Sequence, residues 1–99
     1  MKKKNILQVL GRSHAIEILN SLNKEPKRFL DLKDVCRSNR TRVERLRELE
    51  EKGLVRTVPK LIERRAYTLY EITVLGKDAL DLAEKLLGLE SEGTRESQK

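Results

Sequence analysis

The 99-residue chain has few of the residues that build disulfides, zinc sites and aromatic surfaces. Its single cysteine, Cys36, excludes an intramolecular disulfide, and with one histidine, His14, there are too few ligands for an ordinary zinc site. Tryptophan is absent, and the aromatic residues are Phe29, Tyr67 and Tyr70. So few rings disfavour recognition of single-stranded RNA, in which bases stack against aromatic side chains. We therefore expect an intracellular protein without a metal or a cofactor.

Long apolar runs and catalytic motifs are also missing. The stretch after the basic N-terminus is interrupted by Gln8, Gly11 and Arg12, so it predicts neither a signal peptide nor a membrane span. The sequence contains no glycine-rich phosphate loop, and no His–Cys or Ser–His–Asp set has catalytic spacing. We expect a protein that is not an enzyme and does not enter a membrane.

Charged residues, by contrast, are abundant. They make up 38% of the chain, hydrophobic residues make up 37%, and the net charge is +6. Such a balance favours polyanionic partners, either nucleic acid or an anionic membrane surface, although a basic protein without such a partner is the alternative. The modest apolar content predicts a thin core in a single domain, which a second copy of the chain would extend.

Apolar periodicity and punctuation by glycine and proline predict the order of the elements. Helices are expected at residues 5–10, 13–23, 32–36 and 38–52 and after Thr73, and strands at residues 54–58 and 65–72. The strands are most simply a hairpin around a loop at 59–64. This order predicts an α+β fold that is mostly α. Polar residues from Gly88 onward predict a domain at residues 1–87 and a disordered tail at residues 88–99.

Five arginines lie close together around the start of the 38–52 helix, with one acid, Glu44, among them. They are Arg37, Arg40, Arg42, Arg45 and Arg47. Helical steps of about 100° per residue place Val43, Leu46 and Leu49 on an inward stripe, so the arginines are expected to project outward. Their concentration in the first two turns favours a helix that enters the DNA major groove by its N-terminal end.

A solvated helix face is the alternative to groove binding. Arg40, Glu44 and Arg47 have the spacing of neighbours on a helix and can form ion pairs. The excess of arginine in the first two turns is more than pairing with one glutamate accounts for. We therefore favour the groove-binding interpretation.

Further basic residues flank this helix and would add phosphate contacts, which carry affinity without sequence information. They are Lys2, Lys3 and Lys4 at the N-terminus, Lys27, Arg28 and Arg37 before the helix, and Lys60, Arg64 and Arg65 in the hairpin loop. An ordinary basic surface is again the alternative. Two apolar residues near the loop tip, Leu61 and Ile62, would pack on a partner or extend the strands. Cys36 is expected in the core, with a redox-sensing thiol as the alternative.

In this order and spacing, the segments resemble the winged helix-turn-helix transcriptional regulators of bacteria and archaea, nearest to the HxlR, ArsR and MarR group. The resemblance covers about residues 6–87. The segments that carry it are residues 10–19, residues 27–32 (KRFLDL), residues 46–55 (LRELEEKGLV) and residues 70–76 (YEITVLG). The chain departs from the pattern at Arg42, because the family usually has an apolar residue four positions before Leu46. Val43 is expected to take the apolar role instead.

The resemblance implies a homodimer on a pseudo-palindromic DNA site, with the helix after Ser38 in the major groove, a two-stranded wing hairpin and a C-terminal dimerisation helix. The family alignment places Asn39, Arg40, Val43 and Glu44 toward the DNA. The recognition-helix residues predicted to bind DNA are Ser38, Asn39, Arg40, Thr41, Arg42, Glu44 and Arg45. Dimerisation is predicted through Ile6, Val9, Leu75, Ala79, Leu82, Ala83 and Leu86.

The sequence therefore predicts a dimeric regulator that recognises specific sequences of duplex DNA and lies in the cytoplasm with the nucleoid. Three alternatives stay open at this point. The domain could bind another protein through the wide apolar stripe of its last helix, it could bind RNA, or it could bind DNA with little specificity as a chromatin-type protein.

Overall fold

The computed structural model describes the backbone of residues 4–97 and the side chains of residues 4–90. Its elements are α1 (Ile6–Leu10), α2 (Ala15–Lys24), a 3₁₀ helix (Leu30–Asp34), α3 (Asn39–Glu51), β1 (Val55–Ile62), β2 (Arg65–Ile72) and α4 (Val74–Ser97). The two strands form one antiparallel sheet. The mostly helical α+β order predicted from the sequence is confirmed. Lys2 and Lys3 lie outside the described residues.

Local hydrogen bonds set most helix ends where the sequence predicts them. Asn5 and Gln8 form a reciprocal capping box at the start of α1, with both bonds at 2.8 Å. The Ser38 hydroxyl accepts a bond from the Thr41 backbone N–H at 3.2 Å and begins α3. Gly53 follows the end of α3 with a φ of 73°, the left-handed conformation that favours glycine.

The sequence predicts that the second helix begins at Ser13, with the Ser13 side chain as its cap, but α2 begins at Ala15. The residue before α2 is His14, with a φ of 68° and no side-chain capping bond. Ser13 is engaged elsewhere, since its carbonyl oxygen and its hydroxyl both accept bonds from the Arg45 guanidinium. A tertiary contact therefore displaces a local cap.

The core lies where α2, α3 and α4 meet the base of the hairpin. Its fully buried side chains are Val9, Ile18, Leu19, Leu22, Leu32, Cys36, Leu46, Leu49, Leu54 and Leu80. The burial of Cys36 confirms its expected place in the core.

The hairpin is longer than predicted. β1 continues to Ile62, so Pro59 and Lys60 lie in the strand rather than in a loop, and Leu61 and Ile62 extend the strands. The turn consists of Glu63 and Arg64, which both have positive φ values. The expected loop at 59–64 therefore shrinks to a two-residue turn.

Thr73 joins the hairpin to α4 as predicted. Its hydroxyl accepts a bond from the Gly76 N–H at 2.9 Å and donates one to the Gly53 carbonyl oxygen at 2.6 Å. Gly76 is buried, and a Cβ there would lie 2.1 Å from the Leu54 carbonyl oxygen, so a side chain has no room. These contacts fix the direction in which α4 leaves the sheet.

α4 runs on past Gly88 to Ser97. The backbone of residues 88–97 is therefore helical, whereas the sequence predicts a disordered tail there. The division into a domain at 1–87 and a separate tail stays a prediction, and residues 98 and 99 lie outside the described residues.

Candidate nucleic-acid interface

The buried face of helix α3 agrees only in part with the predicted one. Its buried residues are Arg42, Arg45, Leu46 and Leu49. Val43, expected to face inward, is 41% exposed. Leu46 and Leu49 are buried as predicted, so the buried face is shifted by only about 50° from the expected one, away from Val43 and toward Arg42 and Arg45. The prediction that Arg42 and Arg45 project outward toward DNA is wrong.

Arg42 fills the position that the family pattern gives to an apolar residue. Its side chain is completely buried, with the guanidinium carbon 4.3 Å from the centre of the Phe29 ring. It donates one hydrogen bond to the Cys36 carbonyl oxygen at 2.6 Å and another to Asn39 Oδ1. Within the described residues no carboxylate pairs with it, and its Nε has no partner. Hydrogen bonds and a ring face thus replace an ion pair as its stabilising contacts.

Arg45 is buried by a different set of partners. Its Nε donates to the Ser13 carbonyl oxygen at 2.8 Å, and its Nη1 pairs with Glu48 at 3.1 Å. Glu48 also approaches Lys4 at 3.3 Å and Arg12 at 3.8 Å. Arg45 therefore anchors α3 to the turn between α1 and α2.

The first turn of α3 remains open to solvent. Ser38, Asn39 and Arg40 are exposed, and Thr41 and Glu44 are half-buried. The side chain of Arg40 is 91% exposed, and it approaches Glu44 at 3.7 Å. An exposed pair of this kind contributes little to stability, so the Arg40 guanidinium can exchange its partner at little cost. Arg37 and Arg47 are also exposed.

Two basic residues precede the 3₁₀ helix and contact the hairpin. Lys27 forms a short bridge with Tyr70, its N–H donating at 3.0 Å and its carbonyl oxygen accepting at 2.7 Å. Arg28 pairs with Asp31 at 3.1 Å and lies 5.4 Å from the centre of the Tyr67 ring. Its hydrogen bond to Asp31 raises the pKa of Arg28, and the same bond lowers the pKa of the Asp31 carboxyl.

The hairpin tip is the most exposed basic part of the sheet. Lys60, Arg64 and Arg65 are exposed, and none has an ion pair among the described residues. Leu61 is 71% exposed beside them. The tip therefore presents cations together with an apolar side chain.

On another side of the molecule, α1 and α4 line an apolar groove of about 370 Å³. The predicted dimerisation residues that line it are Ile6, Leu75, Ala79, Leu82, Ala83 and Leu86. Leu82 and Leu86 are 61% and 57% exposed. Val9, also predicted for dimerisation, is 1% exposed and packs in the core, so that prediction is wrong.

No helix in the described part of the chain combines the length and the apolar character needed to cross a bilayer. Among the described side chains, residues 4–90, no three of His, Cys, Asp or Glu cluster closely enough to hold a metal ion.

The family profile of HxlR-like helix-turn-helix proteins matches residues 9–97. The chain belongs to this family. The HxlR-like chain is thus a member of a family of DNA-binding transcription regulators, which are not enzymes. No curated protein matches its sequence.

Solved structures share the fold over most of the HxlR-like chain. A protein described as a MarR-family transcriptional regulator from Enterococcus faecalis V583 has a TM-score of 0.79 at 22% identity, covering 95% of this chain and 87% of that one. A transcriptional regulator homologue from Pyrococcus horikoshii OT3 has a TM-score of 0.75 at 25% identity, with coverages of 90% and 92%. The reduced form of the transcriptional regulator YodB from B. subtilis has a TM-score of 0.73 at 25% identity, with coverages of 83% and 81%. The winged helix-turn-helix fold is confirmed.

Proposed function

We propose that the chain recognises specific sequences of duplex DNA as a homodimer, with the N-terminal turns of α3 in the major groove. The β1–β2 hairpin would lie on the DNA backbone or in the minor groove. The observation that carries this proposal is the open first turn of α3, where Asn39 and Arg40 stand exposed side by side. The major groove admits such a turn, and an arginine there can read guanine with two hydrogen bonds.

The proposed contacts omit two residues of the sequence-based set, because Arg42 and Arg45 are buried. The proposed DNA contacts from the recognition helix are Ser38, Asn39, Arg40, Thr41 and Glu44, with the exposed Val43 beside them. For the DNA backbone and the wing they are Lys27, Arg28, Arg37, Lys60, Arg64 and Arg65. A cytoplasmic location with the nucleoid is part of the same proposal.

The homodimer is proposed on the apolar groove between α1 and α4. Leu75, Leu82 and Leu86 lie along it and are about half exposed or more in a single chain. Burying such a face against a second copy would extend the thin core. A symmetric dimer presents two α3 helices to two half-sites, which predicts a pseudo-palindromic operator.

Selection of bound duplexes from a random pool tests this function. Fluorescence anisotropy then compares the selected duplex with a scrambled one. We expect Arg40→Ala to weaken binding of the selected duplex by about 1–3 kcal/mol, the range of a lost base contact, and to affect the scrambled duplex much less. We also expect affinity to fall steeply with salt, since basic side chains release counterions from phosphates.

The matched control is Arg47→Ala, which removes the same charge about two helical turns farther along α3. It is expected to cause a smaller loss that is equal on both duplexes. Equal effects of the two substitutions would contradict the placement of α3, and failure to select any duplex would contradict DNA binding.

A winged-helix module that binds another protein is the second candidate, and the exposed leucines of α4 favour it. The two functions differ in what DNA does to the size of the complex. Gel filtration with and without duplexes from the random pool is expected to show a DNA-dependent shift under the DNA-binding function and none under the protein-binding one.

A further inference from the structure

Arg42 determines which atom of the Asn39 amide faces the protein. The Arg42 guanidinium donates a hydrogen bond to the Asn39 side chain. A guanidinium has five N–H donors and no acceptor, so the amide atom that meets it is the oxygen and never the nitrogen. The usual ambiguity of an asparagine amide is therefore resolved by chemistry at this position.

Arg42 is itself held in place, so this orientation is not easily lost. Its side chain is completely buried between the Phe29 ring and the Cys36 carbonyl oxygen. Its Nε already lacks a partner. Losing the bond to Asn39 as well would leave a second unsatisfied group of a buried cation, which is costly.

Asn39 is the first residue of α3, and it is exposed. With Oδ1 turned toward the buried guanidinium, the NH₂ group on the other branch of the amide points away from it, toward solvent. The side chain therefore presents hydrogen-bond donors at the end of the helix that is proposed to enter the groove.

The bases differ in how they meet such a donor. An asparagine that reads adenine uses both amide atoms, donating to N7 and accepting from the N6 amino group. Guanine offers the acceptors N7 and O6, and thymine offers the acceptor O4. The Asn39 side chain, with its NH₂ group free and its Oδ1 held by Arg42, can donate to guanine or thymine. It cannot accept the second hydrogen bond, from the N6 amino group, that the adenine contact requires.

We propose that Arg42 is a positioning residue for base specificity: it holds Asn39 as a hydrogen-bond donor, so that Asn39 reads guanine or thymine rather than making the two-bond contact with adenine. This inference rests on the proposed placement of α3 in the major groove. It assigns a DNA-directed role to a buried side chain that does not itself reach DNA.

The test compares the duplexes selected by the full-length protein and by three variants, Asn39→Ala, Arg42→Leu and Asn39→Ala/Arg42→Leu. We expect Asn39→Ala to lose about a tenfold preference at one base pair of each half-site, within the range of a single base contact. Arg42→Leu releases the amide oxygen and is expected to shift the preference at that same pair toward adenine. The double variant is expected to show no preference there.

Chemical substitution tests whether Asn39 makes the two-bond contact with adenine. Each adenine of the selected half-site is replaced in turn by purine, which keeps N7 and lacks the N6 amino group. No replacement is expected to weaken the wild-type protein in an Asn39-dependent way. One replacement in the duplex selected by Arg42→Leu is expected to weaken that variant about tenfold.

Arg45→Met is the control, because Arg45 is the other buried arginine of α3 and contacts Ser13 and Glu48 instead of Asn39. It is expected to leave the base preference unchanged. Asn39→Asp adds a variant on the surface that does not depend on repacking the core. Its outward oxygen accepts rather than donates, so we expect a shift toward cytosine, whose N4 amino group is a donor.

Three results would overturn the inference while leaving DNA binding intact. These are a wild-type preference for adenine that requires its N6 amino group and Asn39, the same preference in Arg42→Leu as in wild type, and no effect of Asn39→Ala at any position. If the wild-type protein selects no duplex, the proposed function itself fails and the inference fails with it.

Discussion

Helix α3 buries arginines, whereas helix α4 exposes leucines. Arg42 and Arg45 are buried in the fold, as are Leu46 and Leu49. Leu82 of α4, by contrast, is 61% exposed. Each of these two buried arginines donates a hydrogen bond to a backbone carbonyl oxygen. The leucines of α4 line a groove that the described residues of one chain leave open.

The difference shows that the two helices depend on different partners to cover their side chains. In α3 the hydrogen-bond acceptors of the buried arginines lie within the same chain. In α4 the exposed leucines lack a cover among the described residues, and the proposed cover is a second copy. Three predictions test this contrast, and a fourth concerns an exposed ion pair for comparison.

The largest effect is expected from Leu82→Glu. In a symmetric dimer the change places an unpaired carboxylate in the interface twice, and it removes two leucine contacts worth about 1.5–3 kcal/mol each. We expect dimer dissociation to be easier by more than about a hundredfold in Kd, measured by analytical ultracentrifugation. Leu30→Glu is the control, since Leu30 is 67% exposed and lies outside the groove. A wild-type protein that stays monomeric at all concentrations would contradict the proposed dimer.

Arg45→Ala is expected to lower the free energy of unfolding by about 2–3 kcal/mol, because it removes a buried hydrogen bond and one partner of Glu48. The loss stays moderate since Glu48 keeps Lys4 and Arg12 nearby. Urea denaturation measures it. Arg47→Ala, an exposed position on the same helix, is expected to change stability by no more than about 0.5 kcal/mol. Equal stability of the two variants would mean that the contact with Ser13 does not anchor α3.

Arg42→Leu is expected to change the free energy of unfolding by less than about 1 kcal/mol, in contrast to Arg45→Ala. The two hydrogen bonds and the ring contact of Arg42 are lost, but so is the cost of a buried cation without a carboxylate partner. The same urea experiment applies. A loss above about 3 kcal/mol would show that the buried arginine stabilises the fold as strongly as an ion pair.

The smallest effect is expected at the exposed pair of Arg28 and Asp31. The pKa of Asp31 lies below its ordinary value of 3.8, mainly because Arg28 donates a hydrogen bond to the carboxylate. The pKa of Asp31 is lower in the folded protein than in the unfolded chain. The pair therefore stabilises the fold at pH values above the ordinary pKa of 3.8. This stabilisation is lost as the pH falls through the folded pKa. Asp31→Asn should remove that part of the pH dependence, measured as Tm against pH. An NMR titration that finds an ordinary pKa for Asp31 would exclude the pairing in solution.

Much of the local structure could be predicted because the relevant partners are neighbours in the chain. The cap at Ser38, the glycine after α3 and the cap at Thr73 each involve residues within a turn of one another. The position of the hairpin was predicted correctly, but its first strand is longer than predicted. Its turn at Glu63 and Arg64 has positive φ values without the glycine or asparagine that usually mark them.

The orientation of α3 could not be predicted in the same way. Leu46 and Leu49 are buried as the periodicity predicts, but in the first turns of the helix the apolar Val43 was expected inside and Arg42 is buried instead. The choice depends on the Cys36 carbonyl oxygen, the Phe29 ring and the Ser13 carbonyl oxygen. With the helix turned to bury Arg42 and Arg45, the candidate site kept Asn39 and Arg40 and lost both buried arginines.

The amino-acid sequence by itself determined the order of the helices and strands, their main caps and the basic character of the chain, because these depend on near neighbours and on composition. The tertiary structure alone decided which arginines face solvent and which leucines lack a cover. A buried guanidinium needs hydrogen-bond acceptors inside the fold. Arg45 receives its acceptor from Ser13, 32 residues earlier, and the guanidinium of Arg42 is covered by the Phe29 ring, so both positions depend on tertiary contacts.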